Sequence, residues 1–412
     1  MSNKMKILGI IAEYNPFHNG HAFHIKEALK RTNCDTAVIV MSGDFVQRGE
    51  PAIFPKHLRA EMALQEGAAV VLELPACFAC QSAEYFAWGG VSLLHRLGCI
   101  DALCFGSESG NLEELKTIAG ILREEPDRYR TYLQLYLRQG MSYPLARQHA
   151  LADYISNEHL ADILSSPNNI LGIEYLKALD VLRSDIVPFT ITRQGAGYRE
   201  IDLHEQYSSA SAIRNHLLGS DTSAISGQVP ASAFRLINMY CLEKGAVTCD
   251  DFSLLLKYKL LSETQESLCT YADISKELAH RIINLRNQFI NWSQFCTLLK
   301  TKELTFNRIS RALTHILLGI RQSDLSTYKE DASCLYARVL GFRKSDSAVL
   351  SAFKKHSTIP VITKISNCDT LSHLGQQMLE TDCYAANLYE SVVTDKFHAP
   401  FVEEHSQSIC IL

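Results

Sequence analysis

Short apolar runs rich in β-branched residues alternate with helix-patterned segments through the first part of the chain, and no other feature limits the possible folds as strongly. The runs cover residues 7–12, 37–41, 69–74 and 102–105, and between them 20–31, 56–65 and 83–97 carry apolar residues at helical spacing. Strand, helix and strand in this order predict a parallel sheet with helices on its faces, an α/β fold. The runs are almost continuously apolar, as strands are when both faces are covered. Ligands then gather at the carboxyl ends of the strands.

A helix-rich insertion follows at about 112–180, residues 186–192 read as another strand, and 208–218 turn helical. Past about residue 220 the pattern changes: 252–261, 274–289, 292–301, 306–319 and 331–340 read as amphipathic helices with hardly a strand between them. The Ser, Gly and Pro residues of 219–230 suit a boundary. The expected division is a parallel α/β domain over 1–222 and a mostly helical domain over 223–412, and a length of 412 residues favours two cores over one. With 47% hydrophobic and 21% charged residues, wholesale disorder is excluded.

A formal net charge of -5 and a pI near 6.3 give no global attraction to a polyanion, so nucleic-acid binding requires a local basic face. No apolar run reaches the roughly 18 to 20 residues that span a bilayer, and the polar start leads straight into a strand pattern, so a cytoplasmic protein without membrane contact is expected. The odd count of 13 Cys suits reduced thiols. The one C-x-x-C, Cys77-Phe78-Ala79-Cys80, lacks a second ligand pair and reads as two packed thiols, so no protein-only metal site is expected.

The sharpest chemical signal is Glu13-Tyr14-Asn15-Pro16-Phe17-His18-Asn19-Gly20-His21, where the first strand ends and the first helix begins. Pro16 stops the strand, and Gly20 leaves room for a phosphate to approach the backbone. His18 and His21, three apart, fall on one side of a helical first turn. A helix N-terminus offers N–H groups and partial positive charge, so two imidazoles there suit attack at an α-phosphate with pyrophosphate leaving. Such chemistry asks mainly for positioning and charge neutralisation. A zinc pair fits less well, because helical zinc ligands usually stand four apart with a third elsewhere.

The HxGH string resembles the signature of the HIGH-motif nucleotidyltransferase superfamily, and its surroundings are similar to the bacterial tRNA(Met) cytidine acetate ligase family. The resemblance extends to Met41-Ser42-Gly43-Asp44-Phe45-Val46-Gln47-Arg48-Gly49-Glu50-Pro51-Ala52, to Phe105-Gly106-Ser107-Glu108 and to Pro167-Asn168-Asn169-Ile170-Leu171-Gly172-Ile173-Glu174-Tyr175. It continues through Arg193-Gln194-Gly195-Ala196-Gly197-Tyr198, Ser208-Ser209-Ala210-Ser211-Ala212-Ile213-Arg214 and Arg338-Val339-Leu340-Gly341-Phe342, and fades after about Cys383. It implies a Rossmann-like HIGH-type nucleotidyltransferase domain followed by an α-helical C-terminal domain. The implied reaction forms acetyl-adenylate from ATP and acetate and passes the acetyl group to N4 of the wobble cytidine of elongator tRNA(Met).

The resemblance places nucleotide contacts on Ile11, Ala12, Glu13, Tyr14, Asn15, Pro16, Phe17, His18, Asn19, Gly20, His21, Ala22, Phe23 and His24, then on Gly106, Asn168 and Arg193. As residues, Gly106 suits adenosine against bare backbone or an ordinary turn. Asn168 suits a helix cap and a ligand contact equally. Arg193 suits a phosphate or ribose clamp or a surface ion pair. Ser209 and Ser211 fit helix caps first and phosphate donors second, with Arg214 one turn on. Tyr14 and Phe17 suit either base stacking or the core. Magnesium is expected through the ATP phosphates.

Asp44, Gln47, Arg48 and Glu50 follow the second strand and are expected to face the same crevice, with Asp44 joining His18 and His21 in catalysis. For RNA, the candidates are Lys56, Arg59, Arg281, Lys300, Lys302, Arg308, Arg311, Arg343 and Lys344, whose alternative reading is a solvated basic face.

Overall fold

In a computed structural model of the chain, residues 5–193, 208–219, 222–330 and 334–412 are described. Residues 194–198 of the glycine-containing block and the start of the expected 331–340 helix lie outside them.

Strand β1 (Ile7–Ala12), helix α1 (Asn19–Thr32), β2 (Thr36–Ser42), α2 (Lys56–Gln65), β3 (Ala68–Leu74), α3 (Ala83–Arg96) and β4 (Ala102–Ser107) follow the expected alternation. The insertion is helical and ends in α4 (Pro167–Val181), opened by its proline at the first turn, before β5 (Val187–Thr192) and α5 (Ala210–Leu217). Helices dominate beyond that, among them α6 (Phe306–Leu318), and the chain closes with β6 (Ala337–Phe342), β7 (Val361–Ile362), α7 (His373–Phe397) and β8 (Cys410–Ile411).

Among the described residues these strands form an eight-stranded sheet in the order β8-β6-β3-β2-β1-β4-β5, with β7 also beside β6. β1 pairs in parallel with β2 on one side and β4 on the other. The chain therefore winds outward in opposite directions from β1, and a crevice opens at the carboxyl ends of β1 and β4. Along β1, Ile7 enters one core, while Leu8 and Ile10 enter the core on the opposite face.

Residues 337–342 form a strand rather than the end of a helix, so the C-terminal half contributes a strand to the sheet. β6 lies antiparallel to β3, with Val70 opposite Phe342 and Glu73 opposite Arg338. Ala337, Val339 and Leu340 suit a buried strand as well as a helix, and the free edge of β3 supplies backbone partners. Gly341 permits the approach of β8: a Cβ there would lie 2.7 Å from the Cys410 carbonyl oxygen.

Buried charges weld this return to the first half. Lys56, 1% exposed, bridges Glu73 at 2.7 Å, Glu404 at 2.9 Å and Asp44 at 3.7 Å. Arg338 pairs with Glu73 at 2.8 Å and also with Glu404. Burial opposes the Lys56 charge, but Glu404 and Glu73 outweigh it and raise the pKa. Asp44 Oδ1 accepts the Lys56 backbone N–H at 2.7 Å, capping α2.

Lys56→Met leaves clustered carboxylates without their central cation, so it is expected to lower stability by about 3–5 kcal/mol. Urea denaturation measures this, and the salt dependence of RNA binding should stay unchanged.

Candidate active site

The backbone leaves β1 through Tyr14, which has a left-handed φ of 51°, and a cis Asn15–Pro16 peptide, then enters α1 at His18. Arg59, 0% exposed, holds this exit: its guanidinium donates to the carbonyls of Glu13 at 2.5 Å, Ser42 at 3.1 Å and also Gly43, and its Nε donates to Phe54 at 2.9 Å. From the other side Arg214 donates to the Asn15 carbonyl at 2.7 Å and to Ser211 at 3.1 Å.

His18 caps α1 through Nδ1, which accepts the Gly20 N–H at 3.1 Å, and His21 Nδ1 accepts the His18 N–H at 3.2 Å. The two rings stack with centroids 3.7 Å apart and planes 24° from parallel. With both Nδ1 atoms accepting, the proton of each neutral ring sits on Nε2, so the pair presents two N–H donors. Burial, then Arg193 and Arg214, push His18 down to about 3, and burial, His18 and Arg193 hold His21 well below its ordinary value. His24, one turn on, is pushed down to about 4 by burial and Arg193, and its buried Nε2 has no partner among the described residues.

The helix end differs from the expectation in one respect. Its first N–H groups already have partners, the Gln228 carbonyl for Asn19 at 3.0 Å and the His18 ring for Gly20, so the donors left for a ligand are the imidazoles.

A cavity of about 640 Å³ opens at this turn. Its wall brings together Glu13, His18, His21, His24, Gly106, Asn168, Arg193, Ser209 and Arg214. Gly106 closes β4, and a Cβ there would lie 3.3 Å from Arg193 Cγ, so its bareness makes room for that side chain. Asn168 donates to Glu108 Oε1 at 2.7 Å while Glu108 Oε2 accepts the Asn169 N–H at 2.9 Å. Asn169 Oδ1 in turn accepts the N–H groups of Glu108 at 2.9 Å and Ser109 at 3.1 Å. This reciprocal lock between the β4 end and the start of α4 was not foreseen; the only sequence sign is an acid after one strand and an Asn pair after Pro167. Ser209 caps α5 by accepting the Ala212 N–H at 3.0 Å.

The far wall comes from the C-terminal half: Thr305, Asn307 and Arg311 at the start of α6. Gly49 seats that helix, for its carbonyl accepts from Ser310 at 2.6 Å and Thr314 at 2.9 Å. Its φ is 69°, and a Cβ would lie 2.3 Å from Arg311 Cα.

Several expected roles need correction. Asp44, 5% exposed, is absent from the residues that line the cavity; it caps α2 and meets Lys56. Lys56 and Arg59 are buried and committed to carboxylates and carbonyls, which removes them from any RNA surface. Arg281 donates to the Leu298 and Leu299 carbonyls at 3.2 Å each, closing a helix end. Arg311 pairs with Asp273 at 2.9 Å and Arg343 with Asp346 at 3.0 Å, whereas Lys300, Lys302 and Lys344 are exposed. Phe17 belongs to the core, whereas the buried Tyr14 also lines the cavity; their rings lie 4.8 Å apart and pack around His21. Gln47, Arg48 and Glu50 do line the cavity. All 13 cysteines are free, with Cys77 and Cys80 buried. Among the described residues no cluster of His, Cys, Asp and Glu is placed to hold a metal, and no helix is long and apolar enough to cross a membrane.

Imidazoles kept neutral when folded make stability depend on acid. Above histidine's ordinary 6.5 their contribution is complete; as pH falls below it the unfolded chain takes protons that the folded His18, His21 and His24 refuse. The expected loss is up to about 1.4 kcal/mol per pH unit for each. Urea denaturation at pH 7, 6 and 5 should show it, with a shallower slope in His24→Leu.

Comparison with known proteins finds relatives along nearly the whole chain. The model of the HIGH Nucleotidyl Transferase family matches residues 5–403. A tRNA(Met) cytidine acetate ligase of Alkaliphilus metalliredigens is 38% identical over 98% of this chain and 98% of its own length, and one of Clostridium acetobutylicum is 43% identical over 88% and 91%. The crystal structure of apo Thermotoga maritima TmcAL superposes with a TM-score of 0.94 at 32% identity, over 99% of this chain and all (100%) of that one. The same protein bound with alpha-thio ATP gives a TM-score of 0.91 at 32% identity and equal coverage. By sequence and fold alike, the chain belongs to the HIGH nucleotidyl transferase family and, within it, to the tRNA(Met) cytidine acetate ligase family.

Proposed function

We propose that this protein activates acetate with ATP as acetyl-adenylate and transfers the acetyl group to N4 of the wobble cytidine of elongator tRNA(Met), giving N4-acetylcytidine. The observation that carries the reading is the stacked His18–His21 pair, two neutral N–H donors at the switch point of the sheet. Fixed donors in a shielded site stabilise charge developing on phosphate oxygens without reorganising. Arg193 and Arg214 add fixed positive charge beside them. Gly106 and Asn168 border the same cavity, on the side suited to adenosine. That the related TmcAL crystallises with an ATP analogue supports a nucleotide here.

The cationic and polar wall suits a polyphosphate, and magnesium would enter on the triphosphate, where it offsets charge. Acceptor RNA would reach the cavity along the start of α6, where Thr305 and Asn307 line it and Lys300, Lys302 and Arg308 stand nearby in the chain. Lys344 is a further exposed cation for the RNA body. Splaying out a single anticodon base brings its exocyclic amine within reach of a reactive anhydride.

Incubation with ATP, labelled acetate and total tRNA should place label on a tRNA cytidine, read by nucleoside mass spectrometry. Label on protein alone would favour a protein ligase, and adenylylation without acetate a small-molecule adenylyltransferase. His18→Ala should slow acetate-dependent pyrophosphate exchange by roughly 10²–10³-fold, and an unchanged rate would remove the histidine from the chemistry.

A further inference from the structure

Acylating an exocyclic amine releases a proton, and the cavity holds few groups able to take it. His18 and His21 present N–H at Nε2 and are donors, while His24 lies one turn further along α1 beside Arg193. Among the described residues, the carboxylates lining the cavity are Glu13 and Glu50. Glu50 sits on a short hairpin opposite Val46, whereas Glu13 belongs to the same turn as the histidines. Glu13 Oε1 accepts the Gln47 N–H at 2.7 Å, which fixes the carboxylate where the β1 exit meets that hairpin. Its backbone carbonyl is held by Arg59, so both ends of the residue are positioned.

The charges facing it are Arg48 and Arg214, which favour the carboxylate, and Glu50, which opposes it; Cys80 and Tyr175 are also within electrostatic reach. Burial, the largest influence, raises its pKa. A carboxylate raised in this way takes a proton more readily than an exposed one.

We propose that Glu13 is the catalytic base of the acetyl transfer and the group that recognises the cytidine N4 amine. This rests on the function proposed above. The N4 lone pair attacks the acetyl carbonyl carbon and the C–N bond forms. One N4 hydrogen passes to the Glu13 carboxylate, and the acetyl C–O bond to the adenylate phosphate breaks, its electron pair leaving on AMP. The same contact separates cytidine from uridine, which presents an acceptor oxygen at position 4 that a carboxylate repels.

The test separates the two half-reactions: acetate-dependent pyrophosphate exchange, and single-turnover transfer from supplied acetyl-adenylate to tRNA(Met) transcript between pH 5 and 8. In Glu13→Gln the transfer should fall by about 10²-fold or more relative to adenylate formation. Wild-type transfer should slow as pH falls through the raised pKa, the Gln variant should lose that limb, and Glu13→Asp should regain part of the rate. Equal loss of both half-reactions, near-wild-type transfer by Glu13→Gln, or an unchanged acid limb in it would overturn the proposal. Should the Gln variant not fold, Glu13→Asp carries the test, and an equal loss of both half-reactions in it does the same. A wild-type protein that labels no tRNA would sink the underlying function together with this assignment, whereas one that labels it beside an equally active Glu13→Gln sinks the assignment alone.

Discussion

A single buried guanidinium holds the working end of this molecule. Arg59 reaches from α2 to the carboxyl ends of β1 and β2 and satisfies carbonyls at Glu13, Ser42, Gly43 and Phe54 that no strand partner could serve. Strand ends in a parallel sheet leave such groups exposed to an apolar surround, where an unmet carbonyl is costly. Arg suits the task because its donors form a rigid fork. The turn that presents the histidines therefore rests on a fixed base, and Arg214 secures it from the opposite side.

The histidine pair illustrates how the local fold decides the state of a titratable group. Each ring gives its Nδ1 to a backbone N–H, so the tautomer follows from helix capping, and burial, with Arg193 nearby, keeps both rings uncharged. The result is a pair of donors whose readiness does not depend on protonation near neutral pH. The helix supplies this geometry rather than its own N–H groups, which the Gln228 carbonyl and the His18 ring already occupy.

The two halves of the chain build one site. α6 closes the cavity because Gly49, free of a side chain, lets its carbonyl meet Ser310 and Thr314. Farther along, β6 extends the sheet and Arg338 and Glu404 enter the buried cluster around Lys56. Breaking such a cluster by removing one partner is costly, and this couples the position of the C-terminal half to the sheet.

Local pattern made the first seven elements of the α/β part legible, and the HxGH turn with them, because strand and helix periodicities and a Pro/Gly-punctuated junction are written in consecutive residues. Gly106, Asn168, Arg193 and Arg214 were legible as candidates, and they do converge on one cavity. What sequence could not reveal depends on distant partners. Residues 337–342 suit strand or helix until β3 offers an edge, and Lys56, Arg59 and Asp44 look like surface or catalytic charges until Glu73, Glu404 and the strand-end carbonyls surround them. Sequence thus determined the α/β pattern and the donors at its first turn; tertiary structure decided which charges face the cavity and which are spent holding it, since burial and pairing are properties of the assembled chain.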